Sequence, residues 1–210
     1  MQGLGLGKRP VPLYPRLRPP HGLPRRGTGD TPLSAEQQQI AERIAIGNDG
    51  RMYATEPGRL RRLVRYELAR EERLAQPELR QAGVGLIALG EYAEAQRVLA
   101  LALDRAATPH QRVAALINLG DAYRYPGDLA AAEPLYEQAI EIARAESPNT
   151  LHFALQHYGK HLIDARRPHL ALEVLTEVLL MRRSIGDPAL IASTQDALSA
   201  ARAAVGQRTI

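Results

Sequence analysis

Residues 116–140 read LINLGDAYRYPGDLAAAEPLYEQAI, and the spacing inside this stretch decides the fold. Leu116, Leu119 and Tyr123 recur at helical intervals, Gly127-Asp128-Leu129 breaks the run, and Ala132, Tyr136 and Ala139 resume it. The pattern is repeated on both sides. Gly83, Gly120 and Gly159 are each followed 12 residues later by Ala95, Ala132 and Ala171. Seven residues further on stand Ala102, Ala139 and Val178, and then Leu103, Ile140 and Leu179. The copies lie 37 and 39 residues apart with the same internal offsets. A period of this length marks a chain built from repeated helix pairs.

Small residues at fixed places let the two helices of a pair, and the first helix of the next, approach closely. Large residues between them fill the remaining space, and each pair buries its face only against its neighbour. Helix starts are written in register as Thr108-Pro109, Ser147-Pro148 and Asp187-Pro188. Each joins a good capping residue to a proline in the first turn, where its missing N–H costs nothing. Two places depart from the pattern. Arg166 stands where the first two copies carry Gly90 and Gly127, with Pro168 just beyond, so the third turn departs from the glycine form of the first two. Pro134 falls inside the second helix of the second copy, which predicts a late start or a bend there.

These residues resemble tetratricopeptide repeats. The second copy carries the likeness best, in Leu116, Leu119-Gly120, Tyr123, Gly127, Ala132, Tyr136 and Ala139. The first supplies Gly83, Leu86, Gly90-Glu91-Tyr92, Ala95, Leu99 and Ala102; the third supplies Leu155, Tyr158-Gly159, Leu162, Ala171, Leu175 and Val178. The resemblance spans roughly residues 76–206, and its slightly long repeats are similar to those of bacterial regulatory proteins. It implies an all-α, right-handed α-solenoid of about three helix pairs, at about 76–108, 109–147 and 148–187. A capping helix at 188–206 closes one end, and two helices at 34–75 close the other.

Within 34–75, Ser34-Ala35-Glu36-Gln37 has the form of a capping box and leads into Ile40, Ile44 and Ala45. Gly47-Asn48-Asp49-Gly50 is read as the stop of that helix, so no sheet is expected. A second helix is predicted from Pro57 to about Ala75, burying Leu60, Leu63, Val64 and Leu68 and exposing Arg61, Arg62 and Arg65. Glu67 and Glu71 are placed to answer Arg70. Residues 1–33 show no apolar period and read as a disordered basic leader rich in Pro and Gly. They hold six basic side chains against Asp30, whereas residues 34–210 are nearly balanced, with 21 basic and 22 acidic. The formal charge of +4 therefore belongs to the leader. Nucleic acid is expected as a partner only through that segment, if at all. Gly3-Leu4-Gly5-Leu6-Gly7-Lys8 lacks the first glycine, the hydroxyl and the strand of a phosphate loop.

The composition excludes several chemistries. There is no cysteine, hence no disulfide, thiolate metal site or cysteine nucleophile. The longest apolar run, Ala82 to Gly90, is far below the roughly 18–20 residues needed to cross a bilayer, and a cytoplasmic protein is expected. His157 and His161 stand four apart on one helix, but no glutamate follows the first, and they read as ordinary helix histidines. Glu133, Glu137 and Glu141 form a solvated stripe without a pocket to separate their pKa values. No catalytic residue, metal or cofactor is assigned.

What remains is a binding surface. The resemblance implies a concave groove lined by the first helix of each pair. Projected onto this chain, that face carries Arg80, Val84 and Ile87, then Ile117, Asn118, Asp121 and Arg124, then Gln156, His157 and Lys160. A mixed polar and aliphatic groove suits a peptide or a partner helix. Arg124 and Lys160 are expected to be exposed there, with Asn118 and Gln156 free for a peptide backbone. The two-carboxylate clamp of chaperone-binding relatives is not reproduced, because Val84, Phe153 and His157 occupy its places. The expected role is a non-catalytic adaptor holding one protein or peptide. The alternatives are a regulatory protein sensing a peptide or partner, and an accessory protein presenting a peptide substrate to an enzyme.

Overall fold

The computed structural model describes residues 35–47 and 49–207. The expected leader and the expected capping residue Ser34 lie outside that range. Nine α-helices and one two-stranded sheet make up the described chain. In order they are α1 (Ala35–Ala41), β1 (Ile44–Ile46), β2 (Met52–Ala54), α2 (Pro57–Leu68), α3 (Gln76–Leu89) and α4 (Tyr92–Asp104). There follow α5 (Pro109–Arg124), α6 (Leu129–Glu146), α7 (Leu151–Asp164), α8 (Pro168–Ile185) and α9 (Pro188–Gly206). From α3 onward each helix packs on the next in an all-α repeat fold.

The glycine–alanine register acts as the spacing suggests. A Cβ added at Gly83, Gly120 or Gly159 would meet Leu99, Tyr136 or Leu175 at 2.5, 2.7 and 2.6 Å. Each clash lies 16 residues ahead, on the second helix of the same pair. Ala95, Ala132 and Ala171 have no exposed surface. Ala132→Leu inserts three heavy atoms where there is no room, and overpacking of this kind costs about 1–3 kcal/mol. A denaturant titration of that variant is expected to show the loss; wild-type stability would mean the register is wrong.

The turns also follow local chemistry. Gly90 and Gly127 take positive φ, 75° and 99°, between the helices of the first two pairs. Arg166 adopts the same left-handed backbone at φ 60° in the third, so a non-glycine residue bears the strain there. Pro168 opens α8. Pro134 neither delays nor splits α6, which begins at Leu129 with the Asp128 carboxylate accepting from Ala131 N–H. Thr108 and Asp187 cap α5 and α9 through their side chains. Ser147 instead precedes a 3-10 turn at Pro148–Thr150 that leads into α7.

The N-terminal region departs from expectation. Ile44 and Ala45 do not continue α1; they form β1, which pairs antiparallel with β2 in the register Ile44↔Ala54, Ala45↔Tyr53, Ile46↔Met52. Ile40 and Ile44 suit a helix by spacing. However, Gly47 to Gly50 is turn chemistry between two short apolar runs, which is a hairpin signature as much as a helix stop. Gly50 takes φ 72°, and the Asp49 carboxylate accepts from Arg51 N–H and Tyr53 O–H. The expectation of no sheet is therefore corrected by one hairpin. The second helix likewise ends at Leu68, short of Ala75, and a 3-10 turn at Glu71–Arg73 follows. Glu67 is buried and pairs with Arg70, whereas Glu71 pairs with Arg97 and Arg105 donates to its carbonyl. Arg61 and Arg65, on the outer face of α2, share Glu91.

Candidate partner-binding groove

The first helices of the pairs, α3, α5 and α7, are linked side by side through polar contacts. Arg80 Nη1 donates to Asn118 Oδ1 at 3.2 Å, joining α3 to α5. Gln156 Nε2 donates to the Ser193 carbonyl at 3.3 Å, joining α7 to α9. Between α5 and α7 the contacts condense into a buried charged cluster centred on Asp121, which is 0% exposed. Its Oδ1 accepts from Tyr136 O–H at 2.7 Å and from Arg124 Nε and Nη2 at 3.2 and 3.1 Å. Its Oδ2 stands 2.8 Å from His157 Nδ1. Arg124 extends its other nitrogen to Asp164 Oδ2 at 3.0 Å.

Burial opposes ionisation of Asp121, yet the charges of His157 and Arg124 and the Tyr136 hydroxyl outweigh it and hold the carboxyl well below its usual range. The Tyr136 phenol is pushed up, by burial first and then by the Asp121 charge. Burial lowers His157 despite Asp121, and it lowers Lys160 to about 8. A cluster of this kind fixes the mutual orientation of α5 and α7 but offers no free acid–base pair.

The hairpin closes one side of this cluster. Arg51, immediately after its turn, donates to Asp164 Oδ2 at 3.2 Å and to the Tyr125 carbonyl at 2.9 Å. The backbone N–H of Met52 donates to the Tyr125 hydroxyl oxygen at 3.1 Å, and Lys160 Nζ donates to the Gly50 carbonyl at 3.3 Å.

The sequence comparison bears directly on the pairs α3–α4 and α5–α6: the tetratricopeptide repeat family model matches residues 76–145. These residues are tetratricopeptide repeats. Two crystal structures of nearly identical TPR-like repeats from the putative kinesin light chain of Podosopora anserina share the fold. One is 18% identical with a TM-score of 0.57, over 83% of this chain and 87% of that one. The other is 21% identical with a TM-score of 0.53, over 73% and 78%. Comparison with curated proteins finds no match. Tetratricopeptide repeats form a protein-interaction scaffold, and no described helix is long and apolar enough to cross a membrane.

On this repeat scaffold the ten groove residues divide. Arg80, His157 and Lys160 remain partly exposed. Val84 and Ile87 are buried in the apolar cluster that includes Ile40, Ile44 and Met52, and Ile117 is buried in the next cluster. Asn118, Asp121, Arg124 and Gln156 are all 3% exposed or less. The expected exposure of Arg124 is corrected: it is buried in an ion pair, because a cation at that depth stays only where Asp121 and Asp164 answer it. Asn118 Oδ1 and Gln156 Nε2 are taken up by neighbouring helices, and Gln156 Oε1 is buried without a hydrogen-bond partner among the described residues. His161 has no exposed surface; its Nε2 lies 3.6 Å from Glu133, which pairs with Arg167, so Glu133 is not part of a free stripe. Among the described residues no group of three His, Asp or Glu side chains is placed to hold a metal ion. The sequence reading missed Arg51, Tyr125 and Asp164. The only signal for Arg51 was the hairpin turn before it, and nothing in the repeat pattern marks the other two.

Proposed function

We propose that the chain is a non-catalytic adaptor, which holds one protein or peptide segment on the concave face of α3, α5 and α7. The observation that carries this reading is the polarity of that face. Stacking helix pairs requires only small and apolar side chains, and buried ion pairs seldom add stability over apolar packing. Arg80, Asn118, Asp121, His157, Gln156 and Lys160 break that rule along one line of helices. Such departures concentrate at functional sites. Asp121, Asn118 and Gln156 brace the helices from within, and Arg80, His157 and Lys160 keep part of their side-chain surface exposed.

The reading is tested by capture from the native organism with the full chain as bait, followed by identification of what is retained. Arg80→Glu is expected to lose the retained protein and the exposed α6 change Glu137→Ala to keep it. Retention by the first and loss by the second would move the working surface to the outer helices.

A further inference from the structure

The hairpin's contacts with the groove have the form of bound peptide. Within three residues, Gly50 offers a carbonyl to Lys160, Arg51 offers a guanidinium to Asp164 and the Tyr125 carbonyl, and Met52 offers an N–H to the Tyr125 hydroxyl. The guanidinium also lies over the Tyr125 ring, 5.0 Å from its centroid. Backbone bonds on either side of one anchored side chain are how extended segments are recognised. Two strands of three residues are marginal without support; here Ile44 and Met52 are held in the adjoining core, while Arg51 between them reaches out to the groove. The closure is also incomplete. Arg51 and Asp164 keep 31% and 30% of their side-chain surface exposed. Both line an open cleft of about 430 Å³, together with Arg124, Arg166, Leu129, Ile163, Pro168 and Ala204.

We propose that Asp164, Tyr125 and Lys160 form an arginine-binding subsite of the groove, that Arg51 fills it as a built-in occupant, and that a partner segment displacing the Arg51 side chain presents an arginine beside a free backbone carbonyl. This rests on the groove reading above and names its partner chemistry. Asp164 sets the sign of the charge. Arg124 takes one share of that carboxylate from within the scaffold, and the incoming guanidinium takes the other. The planar fork is required, because one group must reach a carboxylate and a carbonyl while lying on a ring, which a lysine ammonium does not do. Tethering gives Arg51 an effective concentration in the millimolar range, so the subsite rejects weak ligands and admits a partner that also gains contact along the open cleft.

The probe is a labelled, end-capped peptide of residues 44–54, prepared with its native arginine and with lysine in that place. Both are titrated by fluorescence anisotropy into the full chain as wild type, as Arg51→Ala and as the double variant Arg51→Ala/Asp164→Asn. The arginine peptide is expected to bind Arg51→Ala about tenfold or more tighter than wild type. It is expected to bind that variant about tenfold tighter than the lysine peptide does, and to lose the gain when Asp164→Asn is added. Circular dichroism melts check folding, and if Arg51→Ala does not fold, Arg51→Lys carries the same expectation. Equal affinity of wild type and Arg51→Ala, or no binding to the folded variant, overturns the proposal. Equal binding of the two peptides overturns the arginine subsite while leaving the groove reading, which is judged on the native partner.

Discussion

Replacing Asp121 by alanine is expected to remove about 3–5 kcal/mol of stability, because it takes away the buried carboxylate shared by Arg124, Tyr136 and His157. Asp121 is completely buried and receives the Tyr136 hydroxyl and two nitrogens of Arg124. Without it, Arg124 keeps Asp164 and the Tyr136 hydroxyl oxygen, and His157 loses the carboxylate 2.8 Å away. For a chain of this size the melting temperature should fall by roughly 6–20 °C, at about 2–4 °C per kcal/mol. Asp121→Asn separates charge from volume: it keeps the shape, loses the carboxylate, and should still cost more than half as much. The pH dependence has a definite sign. The folded carboxyl lies below its unfolded value near 3.9, so its stabilisation is present above about pH 4 and is lost as pH falls below it. Thermal melts across pH 2–7 check both points. A loss under about 1 kcal/mol would mean that water, not the cluster, solvates these groups.

Acidification is expected to weaken the junction of α7, α8 and α9 at milder pH, through His152. Arg182 is buried there without a carboxylate in hydrogen-bond reach. It donates to His152 Nδ1 at 3.3 Å, to the Leu190 carbonyl at 3.0 Å and to Thr194 Oγ1 at 3.0 Å. His152 is thus held as a neutral acceptor, and its protonation would set two cations together out of water. Burial, and then the Arg182 charge, lowers it to about 4. Since the folded value lies below the unfolded 6.5, the unfolded chain takes up the proton first. Stability therefore declines from about pH 6.5 and levels off near pH 4, by roughly 3 kcal/mol in all. Burial also lowers His157 and His161, which adds in the same direction. His152→Asn keeps an acceptor for Arg182 and does not titrate. Denaturant titrations at pH 7.5 and 4.5 should show a clearly smaller acid loss in that variant. Identical losses would place the proton uptake elsewhere.

The repeat was legible because its physics is local and periodic. Gly83, Gly120 and Gly159 recur where a Cβ would strike the partner helix, and a pattern of that sort can be counted along a chain. Pro109, Pro168 and Pro188 likewise mark helix starts by their own covalent geometry. The hairpin was less legible. Ile44-Ala45-Ile46 and Met52-Tyr53-Ala54 are too short to show a period, so only the turn between them distinguished a strand pair from a helix end. The groove was legible as a line of positions but not as a surface. Position alone puts Arg124 on the concave side; it does not reveal that Asp164, 40 residues later, and Tyr136 enclose it. Nor does it show that Arg51, 113 residues before Asp164, reaches the same carboxylate. Such contacts depend on how far the hairpin leans across α5 and α7, which is a tertiary fact.

The central claim, that the concave face is the working surface, is most directly tested by titration calorimetry of the captured partner against wild type, Arg80→Ala, Lys160→Ala and Glu137→Ala at low and high salt. Arg80 and Lys160 present partly exposed charge in the groove, and Glu137 is exposed on α6. Each groove change is expected to weaken binding by about 1–3 kcal/mol and to flatten its salt dependence, with Glu137→Ala indistinguishable from wild type. Weakened binding in Glu137→Ala, with Arg80→Ala and Lys160→Ala unaffected, would contradict it.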